Sequence, residues 1–260
     1  MIIQYASDLH LEMPLNNAYM KKNPLQKQGE ILILAGDINY LRNKQKGMDS
    51  FYEAWSKEFE QIFIIPGNHE FYGKHYPIQN IFPSLKKKMR DNIYYINNHV
   101  EIIDEARFIF TVLFSEISQE QSSLIKRFLN DFHISRYNHD SNLSLTIKEY
   151  NKCHIKSRVF LEEALSKPFK GRTIVVSHHV PYPKTFIKGY PKFSYDLSEA
   201  FHVDLTWLMK KYKVDHWISG HTHFNHSSIE IEGTMFHTNQ LGYIESQEHK
   251  NFNNHATIRL

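Results

Sequence analysis

Nine side chains able to hold a metal ion or move a proton stand at five points of the chain: Asp8 and His10, Asp37, Asn68 and His69, His178 and His179, and His221 and His223. Each group directly follows a short apolar run closed by a Gly or Ser turn. Asp8 and His10 are two residues apart, so extended backbone puts both side chains on one face. The donors are imidazole nitrogens with carboxylate and amide oxygens, and no thiolate. That set suits borderline divalent ions such as Mn, Fe, Zn, Ni or Co better than a structural zinc. There are about twice as many ligands as one tetrahedral ion needs, which points to two ions.

The elements that must position these groups are short strands. Ile62–Ile65 is a β-branched run suited to a strand buried on both faces, ended by Pro66 and Gly67. Ile2–Tyr5, Ile31–Leu34, Thr173–Val176 and His216–Ile218 repeat the pattern. Met48, Phe51, Tyr52, Trp55 and Phe59 recur at helical spacing between two of these strands, giving strand–helix–strand alternation. In such folds ligands gather at the carboxyl ends of the strands. Further along, 93–96 and 101–103 read as strands and Arg107–Phe114 as a longer one, with helices around 124–129, 150–164 and 205–212. The stretch 130–146 reads as a loop, and 229–231, 235–238 and 256–260 alternate like antiparallel strands. With no repeat or linker, residues 1–260 are expected to form one domain.

The bulk properties exclude several classes. A net charge of +3 without a long basic block gives little footprint for nucleic acid. Lys86–Lys88, the densest basic run, reads as a solvated helix face. The single cysteine, Cys153, excludes a disulfide framework or a thiolate zinc site, and its place in a helical pattern suggests a buried, inert thiol. No run approaches membrane-spanning length, and residue 2 already begins a strand, so a cytoplasmic protein is expected.

In order, the motifs DLH (8–10 within SDLH), GD (36–37), GNHE (67–70), SHH (177–179) and GHTH (220–223) resemble those of the calcineurin-like metallophosphoesterases over roughly residues 1–245. FYG (71–73), LNDF (129–132) and NQLGY (239–243) resemble a branch of small bacterial members. The resemblance implies a four-layer αββα sandwich, two mixed sheets flanked by helices. It implies that Ser115–Gly171 and the loop Pro181–Tyr195 form a cap or rim. It places Asp8, His10 and His223 on one ion and Asn68, His178 and His221 on the other, with Asp37 bridging. Aligned from the strand end the SHH ligand is His178, aligned from Pro181 it is His179; His178 is preferred, with His179 near the substrate phosphate. His69 would meet that phosphate or protonate the leaving oxygen, since an imidazole titrates near working pH. Glu70 would orient a histidine, and Tyr72 and Asp131 would support the site or the substrate. The implied activity is hydrolysis of a phosphate mono- or diester of a small molecule by a water that two ions activate. A non-catalytic metal-binding scaffold and a nucleic-acid phosphodiesterase are the alternatives. His75, His99, His133, His139, His154 and His255 are expected to be surface or structural residues. Asp8, Asp37 and Asn68 taken singly would be turn residues or caps. Tyr243 rests on the branch resemblance alone. The aromatic load is read as core, with Phe71, Tyr72 and Phe224 flanking the ligands.

Overall fold

The computed structural model describes residues 1–41, 48–73, 76–138, 144–190 and 196–260. Two six-stranded mixed sheets stack face to face. The first runs β12 (Thr257–Arg259), β1 (Ile2–Ala6), β2 (Ile31–Ala35), β3 (Gln61–Ile65), β5 (Ile93–Asn97), β4 (Leu85–Arg90). The second runs β10 (Ile229–Ile231), β11 (Thr234–His237), β9 (His216–Ile218), β8 (Arg172–Val176), β7 (Ala106–Phe110), β6 (His99–Ile103). The four inner strands of each sheet are parallel and the edge strands antiparallel.

Strand alternation builds the layers. Ile31, Ile33, Phe63 and Ile65 meet Phe108, Phe110, Ile174 and Val176 between the sheets. Leu32, Leu34, Ile62 and Ile64 point the other way, onto α1 (Pro14–Lys22) and α2 (Asp49–Glu58) through Met20, Phe51 and Trp55. Ile109, Val175 and Trp217 pack outward onto α5 (Ile147–Ser166) and α6 (Thr206–Lys211) through Leu161, Leu165 and Leu208. The result is the expected αββα sandwich, with period-2 alternation feeding two different interfaces.

Several local expectations change. Lys86–Lys88 lies in edge strand β4, not on a helix, and its lysines guard an edge paired only with β5. β7 ends at Phe110, because Val112 N–H is taken by Asn97 Oδ1 and Leu113 and Phe114 turn through positive φ. The stretch read as loop contains helix α4 (Asp131–Ile134), which follows α3 (Gln119–Phe128). The tail splits: β11 is parallel to β9, and β12 closes the other sheet beside β1. Ser115–Gly171, expected as a cap, supplies the layer helix α5 and reaches the strand ends through Asp131 and Tyr150. The end of the loop 181–195 lies outside the described residues.

Candidate metal centre

The carboxyl ends of β1, β2 and β3 face those of β8 and β9, and the two sheets are tied there by Ser7 N–H to Asn239 O and Leu241 N–H to Ser7 O, while Gly220 N–H to His178 O joins the ends of β9 and β8. The turns that follow are forced tight. Asp8, His10, Asp37, His221 and His223 all sit at positive φ, between 45° and 74°, a region costly for residues other than glycine. Gly67 is dictated by space, since a Cβ there would lie 2.2 Å from Asp37 Oδ1 and 2.7 Å from His178 Cε1.

These turns bring the side chains into two adjoining clusters, Asp8, His10, Asp37 and His223, and Asp37, His178 and His221. His10 Nε2 lies 3.0 Å from His223 Nε2 and 3.8 Å from Asp37 Oδ2. His223 Nε2 lies 3.4 Å from Asp8 Oδ1. On the other side, His178 Nε2 is 3.1 Å from Asn68 Oδ1 and 3.5 Å from Asp37 Oδ1. The opposite nitrogen of each imidazole is held by an oxygen that only accepts. Nδ1–H of His10 donates to Glu12, of His178 to Ala35 O and of His223 to Glu248, while Nε2–H of His221 donates to Ala200 O. Asn68 is fixed the same way: its Nδ2 donates to Asp131 Oδ2 (3.1 Å) and Tyr72 Oη (3.0 Å), turning Oδ1 inward. Lone pairs therefore point at lone pairs across the centre, an arrangement that requires a proton or a cation between them.

The electrostatics agree. Burial lowers the His178 pKa, but the Asp37 carboxylate outweighs it and pushes the imidazole up to about 9. Burial likewise lowers His223, yet its bonds to Asp8 and Glu248 drive it up to about 10. Burial raises the Asp37 carboxyl, but His178 and His69 hold it well below the usual range. His10 and His221, dominated by burial, are shifted down and stay neutral.

A family model described as calcineurin-like phosphoesterase matches residues 3–225. The chain belongs to the calcineurin-like phosphoesterases. This phosphoesterase is 33% identical over 279 residues to an uncharacterized protein, L509, of Acanthamoeba polyphaga mimivirus, with 100% of the chain and 96% of the relative covered. Its fold matches the crystal structure of a phosphopantetheinyl hydrolase from Mycobacterium tuberculosis with a TM-score of 0.66 at 15% identity, over 95% of this chain and 92% of that one. The family makes it a metal-dependent phosphoesterase, a hydrolase of ester bonds.

The remaining expected site residues fall as follows in the phosphoesterase. His69 lies beside the first cluster, Nε2 4.0 Å from Asp37 Oδ2 and 3.2 Å from Tyr243 Oη. Tyr72 stacks near it, ring centroids 4.1 Å apart. Asp131 also accepts from Tyr72 Oη at 2.7 Å, so its support reaches the site through Asn68. Among the described residues Glu70 bonds no histidine: its carboxylate accepts backbone N–H groups of Asp37, Ile38, Asn39 and Gly67, pinning the Asp37 turn. His179 is fully buried, its Nε2 on Tyr150 Oη and its Nδ1 toward Val112 O, and its ring packs against His221, centroids 4.2 Å apart. Phe71 is core, against Phe114, and Phe224 packs on Tyr190. Cys153 is buried and free, its thiol pushed up to about 12 by burial. His99, His133, His154 and His255 bond to Glu101, Arg127 O, Phe114 O and Gln26 and belong to neither cluster. His75 and His139 lie outside the described residues. Among the described residues no helix is long and apolar enough to cross a membrane. Glu12, Glu248 and Tyr150 were not signalled by the motifs, whereas Gln240, inside NQLGY, accepts His223 N–H on its Oε1 at 2.7 Å.

Proposed function

We propose that the centre holds two divalent ions and hydrolyses a small-molecule phosphate ester. Asp8, His10 and His223 would hold one ion, Asn68, His178 and His221 the other, and Asp37, with one oxygen toward each cluster, both. Bound there, the ions would lower the pKa of a water that attacks phosphorus in line and would neutralise the phosphoryl oxygens. The observation that carries this reading is the convergence of acceptor atoms whose outward nitrogens are already bonded. Two carboxylates against two divalent charges leave a positive centre suited to an anionic substrate.

His69 supplies the proton for the leaving oxygen. Its Nδ1–H donates to Glu12, so the mobile proton is the one at Nε2, which faces the clusters. Burial lowers its pKa, but Asp37 and Glu12 outweigh it and raise it, which favours the protonated ring. Tyr243 Oη and the Tyr72 ring flank that nitrogen and fix its aim.

The test is turnover of p-nitrophenyl phosphate and bis-p-nitrophenyl phosphate with added Mn²⁺, before and after chelation. Metal-dependent release of nitrophenol supports the reading, and the ratio of the two rates separates monoesterase from diesterase. No turnover on either ester with any of Mn²⁺, Fe²⁺, Zn²⁺, Ni²⁺ or Co²⁺ contradicts it. A flat DNA-binding response across a salt series is expected from the net charge of +3.

A further inference from the structure

We propose that Glu12 is the positioning residue of the phosphoesterase site, aiming the proton-donating ring of His69 and the ligand ring of His10 with one shared oxygen. Glu12 Oε1 lies 3.0 Å from His69 Nδ1 and 3.2 Å from His10 Nδ1. The two rings meet edge to face, centroids 4.4 Å apart and planes at 68°. Each ring thus has Nδ1 on Glu12 and Nε2 turned inward, His10 toward His223 and His69 toward Asp37 and Tyr243. One carboxylate fixes two tautomers and two ring planes.

The placement is built. Glu12 is held in the turn between β1 and α1, where Met13 N–H bonds His10 O, Leu11 N–H bonds Ile38 O and Pro14 starts the helix. Its side chain is only 5% exposed, and Oε2 has no hydrogen-bond partner among the described residues. A carboxylate so buried is offset by the two imidazole N–H donors, which makes them its purpose rather than a chance contact. His10, Glu12 and His69 also lie close enough to share an ion. Both distances, however, are those of ordinary N–H···O bonds, and the rings' other nitrogens are aimed elsewhere.

The inference rests on the hydrolysis proposed above, and deepens it by separating two duties. If Glu12 acts through His69, its loss slows esters that need a protonated leaving group more than activated ones. The experiment compares p-nitrophenyl and phenyl esters, of whichever class the wild type cleaves, in Mn²⁺-loaded wild type, Glu12→Ala, His69→Ala and the double variant. At saturating Mn²⁺, Glu12→Ala is expected to lose about 10- to 100-fold in kcat on the phenyl ester. It should lose only a few-fold on the nitrophenyl ester, and the double variant should be no slower than His69→Ala. Glu12→Gln, which keeps an acceptor oxygen, should recover part of the loss and serves in place of Glu12→Ala if that variant does not fold. Equal losses on both esters at saturating Mn²⁺, or losses that add to those of His69→Ala, would overturn the proposal. If the wild type cleaves neither ester, the hydrolysis reading fails. ¹⁵N-histidine NMR then decides on Glu12 alone: Nδ1–H signals of His10 and His69 that move in Glu12→Ala support it, and unchanged signals overturn it.

Discussion

Asp37 touches both halves of the centre, with Oδ2 toward His10 and His69 and Oδ1 toward His178 and the His69 backbone N–H. Asp37→Ala is therefore expected to remove metal and activity together, checked by elemental analysis alongside the nitrophenyl assay; retention of both would exclude a bridging role. His69 stands one step outside the clusters. His69→Ala should keep the metal and lower kcat by roughly 10²- to 10⁴-fold, the usual contribution of a positioned acid. Loss of metal in that variant would make the ring structural. These residues were legible in the chain because each follows a β-branched run and a small turn residue, a pattern of spacing rather than of any one side chain. Their supports were not. Glu12 meets His69, 57 residues on, and Glu248 meets His223, 25 residues back, only after folding, and the two-residue spacing of His10 and Glu12 does not by itself announce a carboxylate that serves two rings. Between His178 and His179 the sequence offers two alignments, with His178 preferred. Nε2 of His178 faces Asn68 and Asp37, whereas that of His179 is bonded to Tyr150 Oη.

At the scale of elements, the site is made by strand ends that stop abruptly. Gly67 breaks β3 at the point where Asp37 Oδ1 and His178 fill the space of a Cβ. Gly67→Ala should displace Asp37 and cost both metal affinity and turnover, while leaving the far-UV circular dichroism of the sandwich intact. An unchanged kcat/KM would show that the turn has slack. The strands themselves were readable because Ile31–Ala35 and Gln61–Ile65 are buried on both faces, one row between the sheets and the other under the helices. Elements without such a signal were missed. Helix α1, PLNNAYMKK, buries only Asn16 and Met20 and is held by its flanking turns. Strand β4, LKKKMR, carries a row of lysines because it is an edge, and its polarity mimics a solvated helix face.

Over the whole molecule, histidines away from the centre contribute to the response to acid. His202, its Nδ1–H on Tyr182 O, is lowered by burial to about 4, and His237 by burial and His216 to about 4. Between the ordinary histidine value of 6.5 and 4 the unfolded chain binds a proton at each that the folded chain does not. Stability is thus full above that window and falls as pH drops through it, by about 1.4 kcal/mol per pH unit for each group. Thermal midpoints of wild type and His202→Asn between neutrality and the lower end of that window check this. The variant should show the shallower decline, and parallel profiles would contradict it. The same molecule gathers seven candidate ligands from five strand ends of two sheets, a convergence worth its backbone strain only if ions occupy it. The most direct test is elemental analysis of the purified chain after loading with Mn²⁺ and removal of excess. About two ions per chain, lost together in Asp37→Ala, is the predicted result. A single ion, or none, would contradict the two-ion centre.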